Sequence, residues 1–314
     1  MNKRLFILVL ALLLLHPVLI PVSAVSVDSI DSYNISLPYL YTVLPGSSEW
    51  YSLSMHERIA CSHVDEQLLK NMTTEAVLLT TLNYPFIINI FAYDTTCNGI
   101  EIVSEYCSPL AELLTREDAL HVINSYLNVT TDNESLEYYV AEQLWEYVNA
   151  STLIIPRYVI DPITGWRVFY VETPNGSDVP VYKNLTWDDH NTTYDEVSIA
   201  NTTVLDVYGV VSVGSIDPSY NCHSYAWHSA SVSNDYWMEN PAKYIIDGSY
   251  ILGTGSVGNR ITYNADDGTY IHSGIVTSSN TITSKWGILG VYEHSVNACP
   301  YYVQSTAICF WQRA

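Results

Sequence analysis

Apolar positions along the chain divide it into a helical half and a strand-rich half. Leu136, Tyr139, Val140, Leu144, Tyr147 and Val148 fall on one helical face, and Gln143 is the one polar residue in that stripe. Thr73-Thr74-Glu75-Ala76 opens another helix, which ends near Tyr84-Pro85 because proline disfavours helix in the residue before it. Thr115-Arg116-Glu117-Asp118 resembles a capping box, with Asp in the usual Glu place, ahead of a helix from Ala119 to Leu127. Leu153 to Val171 reads as a β-hairpin around Asp161-Pro162-Ile163-Thr164-Gly165, and Glu172 to Asn201, rich in Asn, Thr, Asp and Pro, reads as a loop. From Val204 the chain becomes β-rich. Its strand candidates are Ile261-Thr262-Tyr263, Tyr270 to Val276, Thr281 to Trp286 and Ala307 to Trp311.

These patterns predict an order of parts. Residues 1–24 read as a secretory signal, with Asn2-Lys3-Arg4 before the apolar run Leu5 to Leu15 and Val22-Ser23-Ala24 as the cleavage site. A retained anchor is the alternative, though His16, Pro17 and Pro21 interrupt the span. Residues 25–49 follow as a polar tether, 50–150 as a helical domain, 151–203 as the hairpin and linker, and 204–314 as a second domain. The helical part shows no clustered chemistry, since His56, His63 and His121 are scattered.

A net charge of −21 excludes nucleic acid and anionic lipid as natural partners. An exported protein with no membrane insertion after cleavage, secreted or held at the cell surface, is the expectation. Nine N-x-S/T acceptors, at Asn34, Asn71, Asn128, Asn133, Asn149, Asn175, Asn184, Asn191 and Asn201, all precede residue 205. They read either as a glycosylated side or as a product of high Asn and Thr content. Six cysteines in an exported chain invite disulfides, and Cys97–Cys107 and Cys299–Cys309 are the local pairs expected, with Cys61 left as a buried thiol.

The candidate chemistry lies in Tyr220 to Trp227, Y-N-C-H-S-Y-A-W. It places Cys222 after the Asp217-Pro218-Ser219 turn and at the start of a helix, where unpaired N–H groups favour thiolate. Fifty residues on, Tyr270 to Val276 reads as a strand carrying His272, a base for the thiol, with Gly274 beside it leaving space. Tyr225 and Ala226 share the face of Cys222 and could pack under the site. His223 and His228 are five apart and do not share a helix face well. With no paired ligand spacing, zinc is not expected and no cofactor is implied.

C-H-S-Y-A-W resembles the C-x-x-Y-A-W run of CHAP-type amidases, relatives of the NlpC-like and papain-like cysteine peptidases, and H-S-G-I-V is similar to their H-V-x-I-V strand. The resemblance covers residues 216–290, with Asn259 where that family has Asp in a G-D step. The chain as a whole is also similar to secreted proteins of Gram-positive bacteria that share an S-K-W-G run, here Ser284 to Gly287, a likeness that carries no activity. The first resemblance implies an α+β, papain-like fold with a helix packed on an antiparallel sheet, and a thiol-dependent hydrolase of a peptide or cell-wall amide. It implies a third polar residue about a dozen positions after the histidine. Ser284 stands there, a neutral hydroxyl where a charge would stabilise an imidazolium, with His294 and Glu293 as fallbacks. A non-catalytic binding protein with the same fold, using its 26 tyrosines, is the other reading.

Overall fold

The computed structural model describes residues 34–152, 168–183 and 185–314. Ile35–Ala314 form one compact unit. Its class is α+β, with helices in the N-terminal part and antiparallel sheets in the C-terminal part. The helices are Ser48–Ser52 (α1), Met55–Cys61 (α2), Glu66–Asn71 (α3), Thr74–Leu82 (α4), Thr96–Ser104 (α5), Ser108–Thr115 (α6), Ala119–Val129 (α7) and Leu136–Thr152 (α8). Thr73 caps α4 through its side chain, as its position before a helical run requires. The expected capping box before α7 is not formed. Asp118 stands at the N-cap without a side-chain cap bond, and its carboxylate instead accepts from the Thr74 hydroxyl at 2.7 Å.

Two other expectations fail for identifiable reasons. Tyr194–Tyr208 is a helix (α9) inside the stretch read as loop and β-rich chain. Thr193 and Glu196 form a capping box at its start, and Val197, Ala200, Val204 and Val207 are buried along it. The abundance of Asn and Thr hid that stripe. The described part of the tether, residues 34–49, also packs down: Tyr41 and Val43 are buried, and the Tyr41 hydroxyl donates to the Thr80 carbonyl. The turn proposed at 161–165 lies outside the described residues. The hairpin that is described pairs Val168–Glu172 (β1) with Asp178–Lys183 (β2).

A small sheet runs β1-β2-β4, with β4 at Tyr236–Trp237. The main sheet has seven strands, all in antiparallel pairs: Val211–Gly214 (β3), Tyr250–Leu252 (β5), Arg260–Asn264 (β6), Tyr270–Val276 (β7), Ile282–Lys285 (β8), Val291–His294 (β9) and Ala307–Arg313 (β10). Their order is β3-β9-β8-β7-β6-β10-β5. All four strand candidates are found. On one face, Ile275 and Trp311 pack against a core that includes Val179, Val181, Trp227 and Tyr244. The helical half is joined to the sheet elsewhere: Trp286, fully buried, meets the Tyr208 ring edge-on at 5.1 Å, and Trp50 donates from Nε1 to the Val207 carbonyl.

Gln143, the polar break in the helical stripe, is buried. Its amide oxygen accepts from the Thr96 hydroxyl at 2.5 Å and its amide nitrogen donates to Glu196 at 3.0 Å, tying α5, α8 and α9 together. Neither predicted disulfide forms, because Cys107, Cys299 and Cys309 are free thiols. Cys97 opens α5 and Cys107 lies beyond its end, at the N-cap of α6, so the helix alone separates them by roughly 10 Å at about 1.5 Å per residue, beyond bridging range. Cys299 lies against Tyr263, whereas Cys309 pairs with Thr262 and so points to the other face of β6. Among the described sequons, Asn34, Asn71, Asn128, Asn133, Asn175 and Asn191 are exposed. No helix of the described residues is long and apolar enough to cross a membrane.

Replacing Gln143 with Leu fits the apolar stripe but strips a buried Glu196 oxygen of its donor. We predict a loss of about 1–3 kcal/mol in denaturant unfolding; an unchanged midpoint would show that the Thr96–Gln143–Glu196 chain is not a structural tie.

Candidate functional site

Cys222 begins a short helical segment, two α-helical residues continued as a π-helix over Ser224–His228. Asn221 organises its start. The Asn221 amide oxygen accepts from the backbone N–H of Ser224 at 3.1 Å and of Met238 at 3.2 Å, and its amide nitrogen donates to the Met238 carbonyl at 2.8 Å. The preceding turn is held by Asp217, which accepts from the backbone N–H and the hydroxyl of Ser219. Lys285, fully buried on β8, reaches this turn and donates to the carbonyls of Asp217 at 2.9 Å and Gly287 at 2.6 Å. Its ammonium lies 5.0 Å from the Tyr220 ring centroid. Burial lowers its pKa to about 7, with Asp217 and Cys222 acting in the opposite direction.

The cysteine segment is fastened to β7 through Ser273. His223 Nε2–H donates to the Tyr270 carbonyl at 3.1 Å, because a carbonyl can only accept. His223 Nδ1 is therefore the acceptor in the neutral ring, and takes the Ser273 hydroxyl proton at 2.8 Å. Trp227 Nε1–H donates to the same oxygen at 2.9 Å. The backbone groups of Ser273 and His223 lie close enough to the Cys222 thiol to lower its pKa. Two residues of the C-H-S-Y-A-W run thus serve to seat the cysteine on the strand.

His272 turns the other way, since successive strand residues face opposite sides. Its ring stacks on Tyr301, with centroids 3.8 Å apart and planes at 10°. Tyr301 is held by its hydroxyl, which donates to the Ala92 carbonyl at 2.5 Å. His272 Nε2 lies 3.0 Å from Ser284 Oγ. That oxygen also lies 2.7 Å from His294 Nε2 and 2.9 Å from Trp286 Nε1. His294 Nδ1 donates to the Ser295 carbonyl at 2.8 Å. His272 Nδ1 is buried and has no hydrogen-bond partner. The sequence pairing of His272 with Ser284 is realised, and His294 joins them, but no hydrogen bond links Cys222 to His272. The cysteine segment is seated instead on Ser273, the residue that follows the histidine on β7.

Gly274 has a different role from the expected one. A Cβ there would lie 2.6 Å from Ile282 Cγ2 and 3.1 Å from Ser284 Cβ, so the space it leaves is taken by β8 and not by the cysteine helix. The absence of a side chain lets Ser284 come up beside His272. Gly287 does similar work at the sheet end: its φ is +50° and a Cβ would lie 2.6 Å from the Ala92 carbonyl. Tyr225, half-buried, stacks on Tyr220, and Ala226 is in the core.

Burial holds the thiol and the imidazoles of the site in their neutral forms. It raises the Cys222 thiol to about 12, Asp94 adds to this, and the backbone groups of Ser273 and His223, with Lys285, offset only part of it. The expected helix-start preference for thiolate is outweighed, because the helix is short and Cys222 is only 6% exposed. Burial lowers His272 well below the usual histidine value, and it lowers His223 and His294 to about 4 each. His294 and Ser295 line a cavity of about 680 Å³ with Arg58, Tyr208 and Glu293, and Cys222 is not part of it. Among the described residues no group of three or more His, Cys, Asp or Glu is placed to hold a metal ion. Sequence reasoning missed Lys285, Tyr301, Asn221 and Ser273. Only the S-K-W-G run pointed at the first of these.

Histidines held neutral by burial make stability depend on pH with a definite sign. Between pH 6.5 and 4 the unfolded chain takes up protons that folded His223 and His294 refuse, so stability falls as pH falls. The loss is on the order of 3 kcal/mol per histidine once pH 4 is reached. Asp94, raised to about 6 by burial and then Glu239, works in the opposite direction, but its side chain keeps solvent contact, which discounts its share. We predict a melting temperature that drops steeply from pH 6.5 to 4. A flat profile there would show that these histidines are not buried neutral. Gly274→Ala should lower stability by about 1–3 kcal/mol at pH 7 through the clash with Ile282, measured by thermal unfolding. No protein-family model and no curated protein matches this chain.

Proposed function

We propose that the chain is a secreted thiol-dependent amide hydrolase of papain-like fold, related to the CHAP and NlpC-like group, in which Cys222 is the nucleophile and His272 its base. The observation that carries the reading is His272 Nδ1, a buried acceptor with no partner. An orphaned buried polar atom costs stability and asks for a reason, and a base waiting for a proton is such a reason.

Because thiol and imidazole are both neutral at rest, the pair works by general-base catalysis rather than as a preformed ion pair. The reading requires the sulfur to reach Nδ1 from the Ser273 side of β7, on which the cysteine segment is seated. The S–H proton passes to Nδ1 as sulfur bonds to the amide carbonyl carbon, and the carbonyl oxygen becomes an oxyanion that the Cys222 backbone N–H receives. On collapse the C–N bond breaks, and Nδ1–H gives its proton to the leaving amine. Water then attacks the thioester with His272 as base again, and the sulfur recovers its proton as the S–C bond breaks. The substrate class is a peptide or a cell-wall amide.

A binding protein that retains the fold without catalysis is the second reading. The 6% exposure of Cys222 and the lack of a hydrogen bond to His272 favour it.

Labelling with a thiol-directed electrophile at pH 6–7 separates the two. The hydrolase reading predicts fast modification of Cys222, and loss of amide hydrolysis in both Cys222→Ala and His272→Ala, since the two groups act as one unit. Ser284→Ala should cost less, because it removes a neutral hydroxyl. A Cys222 that resists the reagent in the folded protein while reacting after unfolding would give the case to the binding reading.

A further inference from the structure

The hydrogen bonds around Ser284 determine more than contact. A hydroxyl has one proton to give and two lone pairs to receive. Trp286 Nε1–H can only donate, so it takes one lone pair. His294 Nδ1 faces the Ser295 carbonyl, which can only accept, so the His294 proton sits on Nδ1 and Nε2 keeps its lone pair. The Ser284 proton must therefore point to His294 Nε2 at 2.7 Å. One lone pair of Ser284 remains, and the only neighbour left is His272 Nε2 at 3.0 Å. That nitrogen must carry the hydrogen. His272 Nδ1 is then the ring's lone pair, and it is the atom left without a partner.

We infer that His294 is a positioning residue for the His272 base, acting through Ser284, and that the Ser295 carbonyl sets the direction of the whole chain. The inference rests on the hydrolase reading for its catalytic meaning, but the tautomer it assigns to His272 does not depend on that reading. It accounts for the missing carboxylate. A carboxylate would hold the His272 Nε2 proton by charge, whereas here a serine does so because its own proton is committed elsewhere. When Nδ1 takes the thiol proton, the Nε2–H stays on Ser284 Oγ and the Ser284 proton stays on His294, so no group must reorient. Removing His294 frees the Ser284 proton to turn toward His272. The ring then changes to the Nδ1–H form, in which the base is already occupied. A wrong tautomer is known to disable an imidazole base even where its position is kept.

The test is long-range proton–nitrogen NMR on the full chain labelled with nitrogen-15 histidine, which distinguishes protonated from unprotonated ring nitrogens. In the wild-type protein His272 Nε2 should be the protonated nitrogen and Nδ1 the bare one, and His294 should show the reverse. His294→Phe should shift His272 wholly or partly to the Nδ1–H form, and should slow alkylation of Cys222 roughly 10²-fold. His294→Gln, whose amide oxygen can accept from Ser284, should restore the Nε2–H form and much of the rate. A wild-type spectrum with His272 protonated at Nδ1 overturns the inference without any variant, as does an unchanged His272 in folded His294→Phe. If the tautomers behave as expected while Cys222 stays unreactive in every variant, the relay stands and the hydrolase reading falls.

Discussion

The Ser284 hydroxyl is the constraint on which the interior of the sheet depends. Its oxygen meets two imidazoles and an indole from β7, β9 and the end of β8, all within hydrogen-bond range. Each of these groups is buried, and each would carry a penalty of about 1–3 kcal/mol if left unpaired. One side chain removes three such penalties, and it can do so only with β7, β8 and β9 in this register. A slip by one residue would turn Ser284 to the opposite face and leave His272 and His294 without it. The polar cluster therefore specifies strand pairing that the apolar residues around it would tolerate in other forms.

The run Ser284 to Gly287 joins three parts of the fold by alternation alone. Ser284 serves the His272 side of the sheet. Lys285 emerges on the other side and fixes the turn before Cys222. Trp286 carries the contact to Tyr208 and the helical half, and Gly287 lets the chain pass the Ala92 carbonyl. The cost of burying the lysine is met by two carbonyls and the Tyr220 face, and by a pKa low enough that the ammonium is partly neutral near pH 7. The helical half is thus bound to the sheet at the point where the candidate site lies. Tyr301, stacked on His272 and bonded to Ala92, makes the same connection.

A closed site has chemical consequences. The Cys222 thiol and the rings of His223, His272 and His294 are all held in their neutral forms by burial. Charge separation there is disfavoured until a substrate supplies polar groups or admits solvent. This agrees with a base kept in a defined tautomer more than with a standing thiolate. In the resting protein Ser284 meets a neutral His272 ring, and there is no imidazolium for a carboxylate to stabilise.

Local order in this protein was legible in the chain. Thr73 before an apolar run, the spacing from Leu136 to Val148, and the four strand candidates each depend on neighbours within a few residues, and each element is present. The helix start at Cys222 was legible for the same reason, whereas the pairing of His272 with Ser284, twelve positions apart on adjacent strands, was expected only from the resemblance. Composition misled where Asn and Thr masked the α9 stripe, and closeness in sequence misled for Cys97 and Cys107, which a helix holds apart. Other features depended on elements far apart in the chain. The burial of Gln143 against Glu196, the choice of Ser273 rather than His272 as the seat of the cysteine helix, and the burial that raises the thiol were decided by tertiary packing. A face, a burial depth and a proton's position depend on what the rest of the chain brings alongside, and no local pattern carries that information.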